Sequence, residues 1–255
     1  MKKLAVLFVL IWTYAVYGQE SGTTSVSVPS SLPKFQFGIK VSGTNTNVSI
    51  DLNNLNEYPK EGWGYEAGLM TRHNFLEWMR FYGSLDYARK NFTIPDRLPS
   101  VNDIKERVEV LAQMFKFNLD VEFLPIKGLG LHVGPYLSYW QAGEAVITRS
   151  GDNIPTEVEN FEIQAASAEI DVNNLPDNVL LVNPWDFGIT GGLSYDLGKI
   201  FVEAKYEIGL SDLNNMAQSA RDSGLFKFND NNSGNADLPP IKFRTLTIGI
   251  TYWFN

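Results

Sequence analysis

From residue 33 to residue 255 the chain alternates between apolar and polar positions with a period of two. The alternation comes in eight short segments: Phe35–Ser42, Trp63–Leu69, Phe81–Tyr87, Phe115–Phe123, Leu129–Tyr139, Trp185–Tyr195, Val202–Leu210 and Thr245–Phe254. In each, one side is aliphatic or aromatic and the other is Gly, Ser, Thr or charged, which predicts eight β-strands. The connections alternate in length. Residues 43–61, 91–106, 142–183 and 211–242 are long and polar, whereas Arg72–Leu76, Leu124–Gly128 and Asp196–Lys199 are short. Long loops at one end and tight turns at the other predict an all-β, eight-stranded antiparallel up-and-down transmembrane barrel, with four long external loops and short periplasmic turns.

A soluble sandwich also alternates, but it turns its apolar side inward and charges its outer side. Here the polar side is mostly Gly, Ser and Thr with isolated charges, and the apolar side carries aromatics near the segment ends. These are Phe35, Trp63, Tyr65, Tyr87, Phe115, Phe123, Tyr139, Trp185, Tyr195, Tyr252 and Phe254. Two aromatic belts suit two membrane interfaces. Lipid supplies no hydrogen-bond partner, so the sheet has to close, with the last segment pairing to the first. Pro135 cannot donate to a ladder and is expected at a local bulge.

Composition narrows this further. The chain has 255 residues and no cysteine, which excludes disulfides, thiolate metal sites and a Cys nucleophile. Residues 1–18 read as a signal peptide, with basic Lys2 and Lys3, apolar Leu4–Trp12, and small Val16 and Gly18 before Gln19. Its loss takes the formal charge from -8 to -10, which argues against a nucleic-acid partner. Residues 19–32 read as a flexible periplasmic lead-in and 33–255 as the barrel domain.

Three stretches resemble the outer-membrane β-barrel family of Bacteroidota that includes PorT-like proteins. Gly134-Pro135-Tyr136-Leu137-Ser138-Tyr139 is similar to its Gly-Pro-aromatic fifth strand. Tyr206–Leu213 is similar to its seventh strand running into a Gly-Leu loop, and Thr247–Phe254 to its final strand. The resemblance spans about 33–255 and implies a location in the outer membrane and contact with its lipid and lipopolysaccharide. A terminal aromatic would address the barrel-assembly machinery, although Asn255 follows it. The family implies little about activity.

By phase, the inward set includes Lys40, Glu66, Asp86, Lys116, Asp120, Glu122, His132, Asp186, Glu203, Lys205 and Glu207. An eight-stranded barrel is just wide enough to be filled by side chains, so these charges must pair or hydrate. A structural salt-bridge network is the expectation, with Lys205 neutralising its acidic neighbours. A cation or proton site formed by some of Asp120, Glu122, Glu203 and Glu207 is the sharper alternative.

Catalytic chemistry is sparse. His73 falls at a predicted turn and is expected to be solvated, and His132 is expected within the network. No local motif joins either to a Ser and an orienting acid, no paired-acid spacing stands out, and no phosphate-binding or zinc motif occurs. Asn229–Asp237 superficially resembles a calcium loop, but Pro240 replaces the late bidentate acid. Loop 142–183 mixes Glu157, Glu159, Glu162, Glu169, Asp171 and Asp177 with Ile163, Ile170 and Val179–Val182. It is long enough for its own hairpin and is the best candidate for contact with a protein partner. The leading expectation is a barrel that is not an enzyme, binds no cofactor or metal, and anchors partner-binding loops or supports a secretion or envelope system. The alternatives are a narrow, porin-like transport barrel for small solutes or apolar molecules, and a lipid-modifying enzyme.

Overall fold

A computed structural model describes residues 35–50, 59–95, 105–126, 128–151, 154–165, 176, 178–213 and 241–254. The proposed leader and lead-in, the calcium-like loop, and Glu169, Ile170, Asp171 and Asp177 lie outside the described residues. The described part belongs to one unit, Pro33–Asn255. Its strands are β1 (Phe35–Ile50), β2 (Lys60–Leu76), β3 (Met79–Pro95), β4 (Lys105–Ile126), β5 (Leu129–Gly151), β6 (Ile154–Ala165), β7 (Val179–Val182), β8 (Trp185–Asp196), β9 (Ile200–Gly209) and β10 (Ile241–Trp253).

Eight of these close a ring in the order β1-β2-β3-β4-β5-β8-β9-β10, every neighbouring pair antiparallel. The first and last strands pair from Gly38↔Trp253 to Ile50↔Ile241, so no edge of the ring meets lipid. Alternation points the apolar side outward. Phe37, Ile39, Val41, Leu69, Leu85, Leu119, Leu131, Ile189, Leu193, Ile248 and Ile250 are exposed, while Lys40, Glu66, Asp86, Lys116 and Glu203 are buried. Every rim aromatic predicted from the sequence faces outward, from Phe35, Phe123, Tyr195, Tyr252 and Phe254 below to Trp63, Tyr65, Tyr87, Phe115, Tyr139 and Trp185 above. From Trp185 to Tyr195 on β8, residue rises of about 3.3 Å at a tilt near 40° give a band about 25 Å tall, the height of an outer-membrane hydrocarbon layer.

Several sequence expectations need correction. The strands outrun the lipid-facing segments, so much of the predicted loops 43–61 and 91–106 is strand. Residues 72–76 are strand too; the turn is at Glu77–Trp78. Pro135 makes no bulge. It lies opposite Ile189 on β8, and the β4–β5 pairing skips Leu119 and Asp120 and resumes in unchanged register. The bulge is six residues on, where Met114 pairs with Trp140 but Gln113 with Ala142, leaving Gln141 extra. Below it the even-numbered residues of β5 face inward (His132, Tyr136, Ser138, Trp140); above it the odd-numbered ones do (Gly143, Ala145, Ile147). The tight turn at 196–199 is as expected. Gly198 has φ +88°, and its N–H donates to Asp196 Oδ1 at 2.9 Å.

The hairpin anticipated within 142–183 is present. The upper half of β5 leaves β8 and pairs with β6 from Gly143↔Ile163 to Gly151↔Ile154, and β6 pairs parallel with β7. Above the upper aromatic belt the polarity of the wall inverts. Val48, Phe92, Ile94, Val108, Val110, Met114, Trp140, Ile147, Ile163, Val182, Ile241 and Phe243 face inward and form one apolar core. Arg107, Glu109 and Glu144 face outward at the same level. The molecule is therefore a membrane barrel continued upward into a crown with a water-soluble type of core.

Candidate functional site

The lumen is filled by three tiers of paired polar side chains. At the turn end, Arg72 and Arg80 on β2 and β3 both donate to Asp196 Oδ2, at 2.6 and 2.8 Å. Arg72 Nε also donates to Gln36 Oε1 at 2.6 Å, and its guanidinium lies 4.6 Å from the Trp253 ring centroid. Tyr82 Oη donates to Glu122 Oε2 at 2.7 Å, Ser194 Oγ donates to the other oxygen, and Arg80 stands 3.6 Å away. Met70, Tyr82, Phe201 and Trp253 pack together as a floor beside these groups.

The middle tier is built around lysines. Lys40 Nζ lies 3.0 Å from Asp86, 3.5 Å from Glu203 and 3.9 Å from Glu66. Lys116 bridges Glu66 and Glu207. Lys205 bridges Asp120 at 2.6 Å and Glu203 at 3.0 Å. Lys90 reaches Glu207 and Thr245 Oγ1, each at 3.2 Å. Ser84 and Asn118 donate to Asp86 Oδ2 at 2.7 and 3.1 Å. At the top, Ser211 donates to Asp186 Oδ1 at 2.6 Å and Ser138 to Asp186 Oδ2 at 3.2 Å, beneath the apolar crown.

Glycines make this density feasible. A Cβ on inward-facing Gly134 would run into Leu119 O and the Asp120 carboxylate, and one on Gly130 into the Glu122 carboxylate. Charges buried in so narrow a space are tolerable only when paired and hydrogen-bonded. Among the described residues of the tiers six bases (Lys40, Arg72, Arg80, Lys90, Lys116, Lys205) face eight acids (Glu66, Asp86, Asp120, Glu122, Asp186, Asp196, Glu203, Glu207), so most of the charge is neutralised within them.

All eleven residues predicted to face inward do so. The four acids from which a cation or proton site was expected are divided among three groups. Asp120 and Glu203 share Lys205, Glu122 belongs to the Arg80–Tyr82–Ser194 group, and Glu207 lies between Lys90 and Lys116. Among the described residues no group of three or more His, Asp or Glu side chains is arranged to hold a metal ion. His132 is a network member, its Nδ1 3.6 Å from Asp120 Oδ2. His73 is not in a turn; it sits half-buried on β2, its ring 4.4 Å from that of Phe35. Sequence reading missed Arg72, Arg80 and Lys90. Arg72 has the parity of Glu66 on β2, and Lys90 that of Asp86 on β3, so extending each segment in phase would have found them.

The two ends of the molecule thus differ in kind: a charged, closed lumen within the membrane band, and an apolar core beyond it. Solved structures similar to the chain include Ail, the attachment invasion locus protein of Yersinia pestis (15% identity, 87% of this chain and 100% of that one, TM-score 0.38). They also include Neisserial surface protein A (12% identity, 85% and 96%, TM-score 0.35) and the monoaromatic hydrocarbon channel CymD (9% identity, 86% and 89%, TM-score 0.28). At these scores the likenesses carry no argument about role. No curated protein matches the chain. The family model described as "Outer membrane protein beta-barrel domain" matches residues 20–215, and with the outward apolar band and the closed ring it fixes the assignment: the chain belongs to the outer-membrane β-barrel family.

Proposed function

We propose that this outer-membrane protein is a non-enzymatic anchor, which holds a rigid extracellular crown in place and presents it to a protein partner. The observation that carries the reading is the contrast between a lumen plugged by paired charges and a wall that continues well beyond the upper aromatic belt. A barrel built to pass solutes would leave its axis open. The partner-facing element is the β5–β6 hairpin. Among the described residues the outer edge of β6 is unpaired above Glu162, from Ile154 to Phe161, and Val158 is 58% exposed on it. An open strand edge is a template for pairing with another chain. The PorT-like, Bacteroidota resemblance fits a role beside a secretion or envelope system. It also fits a chain exported by a leader cleaved after Gly18, assembled through its last strand and surrounded by lipopolysaccharide.

The test places a photo-crosslinking residue at Val158 and, separately, at lipid-facing Leu193 in living cells. A discrete protein adduct from position 158 and none from 193 is the expected result. Absence of any adduct at 158, or steady conductance steps from the purified barrel in a planar bilayer, would overturn the proposal.

A further inference from the structure

The outer face of the crown is electrostatically two-sided. On the β4–β6 flank Glu109, Glu144 and Glu162 face outward, and Arg107 is taken by Glu109 at 2.9 Å; Arg149 and Glu159, paired at 3.1 Å, share the inner face of the hairpin with Ile147. On the β10–β1–β2–β3 flank the balance reverses. Arg89, Lys242 and Arg244 lie just above the aromatic belt and make no ion pair among the described residues, and Glu61 is the one described outward acid there.

The Arg89 end of this flank is structurally elaborated. Arg89 pairs across the sheet with Tyr65, and the register of β2 slips between Glu61 and Tyr65, where β2 carries one residue more than β3. Gly62 and Gly64 lie in this bulge, where a Cβ would run into the backbone oxygens of Asn91 and Arg89. Asn91 Nδ2 donates to Trp63 O at 2.6 Å and ties the bulge down. Bulges re-aim side chains. Arg89 shares the outward face with the exposed rings of Trp63 and Tyr65 and stands directly opposite Tyr65, its Nε shielded and without a hydrogen-bond partner among the described residues. Lys242 and Arg244 stand on β10, level with Ser49 and Asn47 of β1. Through Tyr65 and Gly43, Arg89 stands across the sheet from Ile248, so Arg244 lies three strand spacings and four residues away, about 20 Å along the sheet.

We propose that this flank binds the phosphorylated sugar headgroup of an outer-leaflet glycolipid. Arg89 would hold one phosphate above the Trp63–Tyr65 pair and Lys242 with Arg244 a second. The chemistry matches at each level. The acyl chains meet the apolar band, the aromatic rings sit at the headgroup boundary, and the guanidinium groups meet phosphate, which they bind in bidentate fashion. The acidic flank would repel the same headgroup, so the lipid is held on one side of the barrel and the β5–β6 hairpin stays uncovered. The site does not depend on the partner proposed above.

The test uses the full chain in non-ionic detergent, with diphosphorylated lipid A, the same lipid without its phosphates, and inorganic phosphate as probes. The diphosphorylated lipid should bind saturably, with an affinity that falls as salt rises. The combined variant Arg89→Gln, Lys242→Gln, Arg244→Gln should weaken that binding by about tenfold to a hundredfold, since each basic group near a phosphate surface contributes about one factor of five. The paired control Arg107→Gln, Arg149→Gln should bind as the unaltered chain does. A gel shift on boiling reports whether each variant is folded; should the combined variant not fold, Arg89→Gln alone carries the test. Undiminished binding by the folded variant, or equal binding of the dephosphorylated lipid, would overturn the site. Competition by inorganic phosphate at equal affinity would make it a small-anion site and overturn the lipid assignment.

Discussion

Lys205→Met is the sharpest probe of the lumen. Lys205 is buried, and its Nζ lies 2.6 Å from Asp120 and 3.0 Å from Glu203, both carboxylates wholly shielded. Methionine fills nearly the same volume, so packing is kept while the charge is lost. The two acids are not stranded equally. Glu203 retains Lys40 at 3.5 Å, whereas among the described residues Asp120 retains only His132, at 3.6 Å, and His132 is a counter-charge only when protonated. Most of the cost should therefore fall on Asp120. Breaking a buried pair by removing one partner typically costs about 3–5 kcal/mol. The assay is urea unfolding of the detergent-folded barrel, followed by the gel mobility difference between folded and heated protein. Adding Asp120→Asn should return part of the loss, because an amide needs no counter-charge. An unfolding midpoint for Lys205→Met equal to that of the unaltered chain would refute the account of the lumen as a mutually neutralising network. So would a double variant weaker than the single.

Other consequences follow from the same geometry. Ile189 faces lipid near mid-band on β8, and Ile189→Arg should cost about 2–4 kcal/mol in the same unfolding assay, the usual cost of a cation at the bilayer midplane. Ile163 is fully buried in the crown, and Ile163→Ala should cost about 2–5 kcal/mol by opening a cavity there, read as faster proteolysis of the hairpin in a barrel that still shifts on boiling. Gly134→Val should block closure outright, because the added carbons collide with Leu119 O and Asp120, and should yield protein with no heat-modifiable band. The unaltered barrel should be electrically silent in a planar bilayer, since Arg72, Arg80 and Asp196 seal its lower end and the apolar core its upper end.

The membrane band was legible in the sequence because one rule governs it. Period-two alternation between lipid and lumen fixes both the strand and the side on which each residue lies. Phe37, Ile39 and Val41 reveal β1 as plainly as Lys40 and Ser42 reveal its inner face. Above the aromatic belt the solvent outside changes from hydrocarbon to water, and the rule inverts. In β3, Leu85 and Tyr87 face out and Asp86 in; a few residues later Phe92 and Ile94 face in and Arg89 and Asn91 out. A reading tuned to outward grease ends the strand where the inversion begins, which is why the predicted loops were too long. The bulge at Gln141 adds a second break, because it changes the parity of β5 at the same level. The pairing partners within the lumen were not legible either. Phase says that Glu122 and Glu203 point inward, but only the stagger of the closed sheet decides that one meets Arg80 and Tyr82 and the other Lys205 and Lys40.

That inversion also bears on what the molecule is for. A barrel that only spans the membrane gains nothing from strands that continue beyond the hydrocarbon, since water satisfies backbone groups there. Extending β3, β4 and β5 and adding β6 and β7 orders many residues, and that entropy has to be offset by burying apolar surface. The crown does so with Trp140, Phe92, Phe243 and their neighbours, and the result is a fixed surface rather than a set of mobile loops. Rigid presentation lowers the ordering cost of binding, which favours a partner that reads shape along a strand edge. The filled lumen points the same way: Arg72, Lys40 and Lys205, with their acids, tie strands from opposite sides of the ring to one another, so that force applied to the hairpin is met by the whole barrel.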